Sequence, residues 1–280
     1  MERPVYKDIL LNLSVDSDKD PAADYALSVA DAFEAHVSAV AYAYEQIIPG
    51  PVIGTIATDV IAADRAACMK AAQNAIAKFE NAAKLAGRSF DTRICQATPS
   101  EAMRDFAFAA RRADLTILGQ PEPDEKVGPD LILEAALFQS GRPMLTVPYI
   151  QRGGLKLNRA ICCWDGSATA ARAIGDAVPL LKKAKSIDLI VVATSKIAPD
   201  DVAGADMGHH LARHGLNVTV KQLSSSNIEV ADVILSYAAD FEADLIVMGG
   251  YGHSRLREFI LGGTTRDIIR TMTIPVLMSH

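Results

Sequence analysis

Short apolar runs recur along the chain, and between them apolar positions fall three and four residues apart. "AICCW" from Ala160, "SIDLIVVATS" from Ser186, "ADLTILG" from Ala113 and "ADLIVMG" from Ala243 are apolar almost throughout. A strand that is apolar on both faces must be covered on both, which points to a parallel sheet between helical layers. "LNVTVKQL" from Leu216 alternates and is rich in β-branched residues, so it reads as a half-buried strand. The helical stretches carry a single buried stripe. Met103, Phe106, Ala107 and Ala110 share the i, i+3, i+4, i+7 spacing, and so do Ala231, Ile234, Leu235 and Ala238. Thr98 with Glu101, and Ser226 with Glu229, have capping-box spacing just before those stripes. "SATAARAIGDAVPLLKKA" suits a helix ending in lysines, and "GADMGHHLARHG" one that Gly215 stops.

The pattern is written twice. "ADLTILGQ" from Ala113 returns as "ADLIVMGG" from Ala243. "RPMLTVPY" from Arg142 matches "IPVLMSH" from Ile274, and "KDILLNLSVDSD" from Lys7 matches "NRAICCWDGS" from Asn158. Three matches in one order imply a tandem duplication with its joint in "YIQRGGLKLN". The expected fold class is α/β: two tandem doubly wound domains, 1–152 and 153–280, each a five-stranded parallel sheet with helices on both faces. The first copy has an additional stretch after its second strand, "EQIIPGPVIGTIATDVIAADR". Its mix of apolar residues with Pro and Gly reads as a flap or contact surface, or as a loop with no role.

Composition narrows the function classes. The net charge of −6 over 280 residues implies no strongly basic surface, so nucleic acid is not the expected partner. The four cysteines are Cys68, Cys95, Cys162 and Cys163. They contain no C-x-x-C, and the adjacent pair in a strand points to opposite faces. This reads as a reduced, cytoplasmic chain using cysteine as a small apolar residue. No apolar run is long enough to span a bilayer, and no membrane is expected.

In doubly wound sheets, ligands bind beyond the carboxyl ends of the strands. In the second copy those ends carry Asp165, then Ala193 and Thr194, then the glycine stretch "MGGYGHSRLREFILGGTTRDII" from Met248. Gly249 and Gly250 alone would make an ordinary turn. Gly252 and, nine residues further, Gly262 go beyond a turn, because the following helix then opens on Gly263, Thr264 and Thr265. A helix start with free amides and small hydroxyls favours an anion, and the glycines let backbone pass close to a bulky group. His253, Arg255 and Arg257 lie inside this loop. His253 and Arg255 are the nearer charge partners for a phosphate, with a solvated basic rim as the other reading.

The pattern Gly249-x-x-Gly252, nine residues, Gly262 and a small residue resembles the nucleotide loop of the universal stress protein family, G-x-x-G-x9-G-[ST]. The surrounding "ADLIVMGGYGHSRLREFILGGTTRDIIRTMTIPVLM" is similar to that family's C-terminal signature, and the duplication to its tandem branch. The resemblance implies an adenine nucleotide alpha hydrolase-like fold. It implies ATP, or ADP or AMP, with or without Mg, held in the second copy. Asp165 then meets the adenosine part and the backbone near Ala193 faces the adenine edge. Met248 and Gly249 end the fourth strand, and Gly252, Gly262, Gly263, Thr264 and Thr265 take the phosphates. The family has Ser or Thr where this chain has Gly263, so one hydroxyl donor is missing unless Thr264 or Thr265 supplies it. The family's closing strands pair, which implies "MLTVPY" beside "VLMSH" as an intramolecular pseudo-dimer, with or without a homodimer of whole chains.

The first copy has diverged. Asp16 matches Asp165 in position and Gly119 survives. Beyond it, Glu122, Asp124, Glu125 and two prolines stand where phosphate would lie, so the expectation is a retained fold without nucleotide. No G-x-S-x-G elbow, no G-x-x-x-x-G-K-[ST] loop and no early G-x-G-x-x-G occurs, so no catalytic residue is assigned. His209, His210 and His214 invite a metal reading, but solvated helix residues are the more ordinary case and no metal is assigned. Two functions stay open: a nucleotide-binding stress regulator with at most slow hydrolysis, and a ligand or partner module whose loop is a remnant.

Overall fold

A computed structural model provides the structure of the protein and describes residues 5–15, 17, 19–45, 58–121, 129–193, 204–225, 228–250 and 263–280. The chain divides into two compact units. The N-unit holds Tyr6–Arg142 with Arg152–Gly154, and the C-unit holds Pro143–Gln151 with Leu155–His280.

The N-unit runs β1 (Asp8–Asn12), α1 (Pro21–Phe33), β2 (His36–Tyr44), α2 (Thr58–Leu85), β3 (Phe90–Ala97), α3 (Pro99–Ala110), β4 (Leu115–Gly119) and α4 (Pro129–Gln139). Its strands lie in the order β3-β2-β1-β4, all parallel. Local chemistry sets the helix starts. Asp20 caps α1, its Oδ1 accepting from Ala23 N at 3.0 Å and its Oδ2 from Ser14 N at 2.9 Å. The capping box anticipated on α3 forms, with Glu101 Oε2 accepting from Thr98 N at 2.9 Å. Hydrogen bonds from Thr98 hold the Glu101 carboxyl below its ordinary range. Of the expected stripe, Phe106, Ala107 and Ala110 are buried, while Met103 is only half-buried and Ala102 takes its place in the core.

The C-unit runs β5 (Met144–Val147), β6 (Arg159–Cys163), α5 (Ala168–Leu181), β7 (Ser186–Ala193), α6 (Ala205–Arg213), β8 (Val218–Ser224), α7 (Val230–Asp240), β9 (Leu245–Gly249), α8 (Gly263–Thr271) and β10 (Val276–Ser279). Its order is β5-β10-β9-β6-β7-β8. β6 to β10 form a five-stranded parallel sheet, and β5 pairs antiparallel to β10 with Leu145 opposite Leu277. The closing strands of the two copies therefore do pair. Their place in this sheet suits their sequence, since Met144, Leu145, Val147, Val276, Leu277 and Met278 are all fully buried. Each such side chain contributes about 1.5–3 kcal/mol of burial.

Three local readings are corrected. Thr58–Arg65, read as part of an irregular insert, forms the opening turns of the long helix α2. The earlier part of that stretch, 46–57, lies outside the described residues. The capping box at Ser226 and Glu229 does not form as spaced: Glu229 is itself the N-cap of α7, without a side-chain cap, while Ser226 lies outside the described residues. On α7, Leu235 is only half-buried, and Tyr237 is buried with Ala231, Ile234 and Ala238. The reason for Tyr237 lies in β7. Asp188 is buried there among apolar residues, 2.6 Å from Arg159 Nη1 and 3.3 Å from the Tyr237 hydroxyl that donates to it. Arg159 also lies over the Phe241 ring, which stacks on Tyr237. This cluster belongs to the amino-terminal side of the sheet and anchors α7. Among the described residues no helix is long and apolar enough to cross a membrane.

Candidate functional site

In the C-unit, β6 lies between β7 and β9, and all three run parallel. The chain leaves β6 for β7 on one side, while β9 lies on the other. The strand order thus reverses between β6 and β9, and their carboxyl ends flank the crevice where doubly wound folds take ligands. Asp165 follows β6 on that edge, and Gly249 ends β9 on the same edge. Ala193 ends β7 one strand further out.

The turn after β6 is built by its own polar atoms. Asp165 is exposed, and its Oδ1 accepts from Ser167 N at 2.9 Å. Gly166 sits at φ 78°, a left-handed conformation that glycine takes without steric cost. Ser167 caps α5, its hydroxyl accepting from Ala170 N at 3.1 Å and lying 3.1 Å from the Thr169 hydroxyl. The first turn of α5 is thereby fixed over the end of β9. A Cβ on Gly249 would lie 2.6 Å from Ala170 N and 2.7 Å from the Thr169 carbonyl carbon. The close neighbour that bars a side chain at 249 is thus a helix of the same unit.

The base of the glycine loop is held from β10. Gly250 N donates to Ser279 O at 2.9 Å, and the His280 ring Nδ1 lies 3.0 Å from Gly250 O. A carbonyl only accepts, so Nδ1 carries the proton in this contact. Ser279 Oγ donates in turn to Asp176 Oδ2 on α5 at 2.9 Å. Met248, just before the loop, is buried in the sheet opposite Met278. Ala193 is half-buried, and its carbonyl accepts from Ser225 N at 3.3 Å and from the Ser225 hydroxyl at 3.1 Å.

α8 begins at Gly263, which is exposed. Thr264 is half-buried, while Thr265 is buried on the face that also packs Ile268 and Ile269. A Cβ on Gly263 would stand 3.7 Å from Asp267 Oδ2, an ordinary contact distance. Gly252, His253, Arg255, Arg257 and Gly262 lie outside the described residues, as do Thr194 and, in the N-unit, Asp16 and 122–128. The structure thus brings Asp165, Met248 and Gly249 to the switch point. It puts Ala193 at the neighbouring strand end and gives Gly263, Thr264 and Thr265 distinct exposures at one helix start. Two residues that the sequence does not single out join this edge, Thr169 and His280. Their only advance signals are the Ser-x-Thr after an Asp-Gly turn and a histidine directly after the last strand.

Among the described residues, the two cysteines of β6 give this edge no ready nucleophile. Burial, then Cys162 and the Asp165 carboxylate, push the Cys163 thiol far up. Burial, then Asp188, push Cys162 up to about 12. Neither forms a thiolate at neutral pH. Among the described residues no group of three His, Cys, Asp or Glu side chains is placed to hold a metal.

Comparison with known proteins relates this site to a family. The universal stress protein family model matches residues 156–280. A universal stress protein of Synechocystis sp. (strain ATCC 27184 / PCC 6803 / Kazusa) is 29% identical over 124 residues, which is 43% of this chain and 42% of the relative. The match therefore spans less than half of that relative's length. A universal stress protein from Archaeoglobus fulgidus DSM 4304 shares the fold at a TM-score of 0.74 and 17% identity, over 99% of this chain and 98% of that one. A functionally unknown protein from Pseudomonas aeruginosa PAO1 does so at 0.64 and 14%, over 98% of this chain and 92% of that one. At such identities the two structures speak for the fold alone, and they do so for both copies. Residues 156–280, which carry the switch-point edge, are the part of the chain that is similar to the universal stress protein family.

Proposed function

We propose that the chain binds an adenine nucleotide, ATP in the first place, at the carboxyl edge of the C-unit, and acts as a stress-response regulator with at most slow hydrolysis. The reading rests on one observation: the reversal of strand order falls between the Asp165 turn and Gly249, the two places where the sequence puts its acid and its first loop glycine. Asp165 is exposed and faces a ribose hydroxyl or the adenine amine as an acceptor. Phosphates take the amides of the loop and of the α8 start, where the helix dipole favours negative charge. Of the two threonines, Thr264 is the one to replace the hydroxyl missing at Gly263, because Thr265 is packed into the core. Mg, where present, arrives with the nucleotide. The chain has no Walker-type lysine to drive phosphoryl transfer, in keeping with a binding protein. The N-unit is the nucleotide-free copy, and the domains divide as 1–152 and 153–280 in descent.

Mass spectrometry of the purified chain for co-purifying ATP, ADP or AMP, followed by calorimetry, tests this. Binding of one nucleotide per chain, abolished by Gly262→Val with the fold intact, is the expected result. No binding at millimolar ATP would hand the protein to the second reading, a partner module with a remnant loop. That reading has one observation in its favour, since Gly249 is already required to be glycine by the approach of α5.

A further inference from the structure

α6 presents a second, unrelated arrangement. His210 and His214 lie one turn apart, and their Nε2 atoms are 3.2 Å from each other, with the rings at 90°. Both side chains therefore bring the same nitrogen together. Two imidazole nitrogens on one tetrahedral ion, each about 2.0–2.1 Å from it, stand about 3.3–3.4 Å apart. The pair is already set at the bite of a chelate. It also lines a cavity of about 90 Å³, whose other walls are Met207 and Leu211 from α6 and Ala171, Ile174, Gly175 and Val178 from α5. Met207 stands one turn before His210 on the same helix, so the cavity holds two imidazoles and a thioether among apolar groups. α6 cannot readily shift. A Cβ on Gly208 would lie 2.7 Å from a Val220 methyl group, Gly204 starts the helix at φ 90°, and Leu211 is buried. The chelating pair is thereby preorganised on a docked helix.

We propose that the α5–α6 cavity is a metal site for a single soft copper ion, held by Nε2 of His210 and His214 with the Met207 thioether as third donor. Thioether with imidazole selects Cu(I), whereas imidazoles alone also take Zn(II). The site is independent of the nucleotide edge. Binding requires both imidazoles neutral with Nε2 unprotonated, so the hydrogen that one Nε2 donates to the other is carried by Nδ1 of that ring when the ion is bound.

Anaerobic titration of the full-length chain with Cu(I), against a chromogenic chelator of micromolar strength, tests this. One equivalent is expected at pH 7.5. His210→Ala and His214→Ala should each weaken binding at least tenfold, and Met207→Leu should weaken Cu(I) severalfold while leaving Zn(II) uptake unchanged. His209→Ala, a neighbouring exposed histidine, should change nothing. Circular dichroism of each variant confirms that it is folded. Failure of the wild-type chain to take one equivalent, or full uptake by the double histidine variant, would overturn the site. Unchanged Cu(I) affinity in Met207→Leu would overturn the copper assignment. The titration of the unaltered chain keeps the test decisive if a variant misfolds.

Discussion

The two copies use one topology and treat the ends of their first and fourth strands differently. In the N-unit, α1 is capped by Asp20, a carboxylate whose burial raises its pKa even though it accepts backbone hydrogen bonds. In the C-unit, α5 is capped by the neutral Ser167, and the acid of that turn, Asp165, stays exposed. Gly119 would have room for a methyl group, its nearest neighbour being the Ala22 Cβ at 4.0 Å. Gly249 has none, because α5 lies against it. After the strand, Gln120 is buried in one copy, while Gly250 is held by Ser279 and His280 in the other. A duplicated fold thus survives with a half-buried acid and a buried amide at one edge, and with an exposed acid and a closely packed glycine at the other. Fold and site separate cleanly, because the first depends on strand pattern and the second on a few polar contacts at strand ends.

The sharpest way to test the inequality between copies lies on the opposite edge. Asp188 and Ser38 occupy matching registers, opposite Ile161 and Leu10. Arg159→Met strands the buried Asp188 carboxylate and should cost about 3–5 kcal/mol in urea unfolding. Ser38→Ala, which loses an exposed bond to Asp91, should cost about 1 kcal/mol or less. Next in size, Gly249→Ala forces a methyl group into the backbone of α5 and should destabilise by about 1–3 kcal/mol, while Gly119→Ala should be near neutral. If both glycine variants cost the same, the asymmetry of the two edges is lost. On the binding side, Gly263→Ser restores a hydroxyl with space for it, and calorimetry should show ATP bound about tenfold tighter. His280→Ala should loosen the loop base and weaken ATP a few-fold, and His280→Asn, whose amide donates from the same place, should restore it. The smallest effect is in pH. The folded-state pKa of Glu101 lies below its unfolded value, so its capping contribution is present above the unfolded pKa and fades as pH falls through the folded one. Amide exchange at the start of α3 should quicken over that range. The same change is not expected through a box at α7, which has none.

The strands, the repeat, the α3 cap and all of its stripe but Met103 were legible in the sequence because each is a local pattern or a repeated one, and the pairing of the two closing strands came from the family resemblance. That Asp165 and Gly249 share one edge followed from both standing at the carboxyl ends of parallel strands. What escaped depends on contacts between distant residues. Asp188 reads as an intrusion in an apolar run until Arg159, Tyr237 and Phe241 converge on it. Gly249 reads as space for a ligand until α5 is seen to fill that space. His280 gains meaning only once β10 lies beside β9. Glu229 misled because capping-box spacing is defined relative to a helix start, and α7 starts later than the spacing assumes.

The antiparallel pairing of β5 with β10 has a practical consequence for anyone dissecting the molecule. A fragment cut to the family match, residues 156–280, would leave β10 as an edge strand, with its backbone paired to β9 on one side and unpaired on the side that faces β5. Such an edge recruits strands from other chains. Starting the fragment at Pro143 instead carries β5 along, and those thirteen extra residues cover the edge that would otherwise recruit other chains.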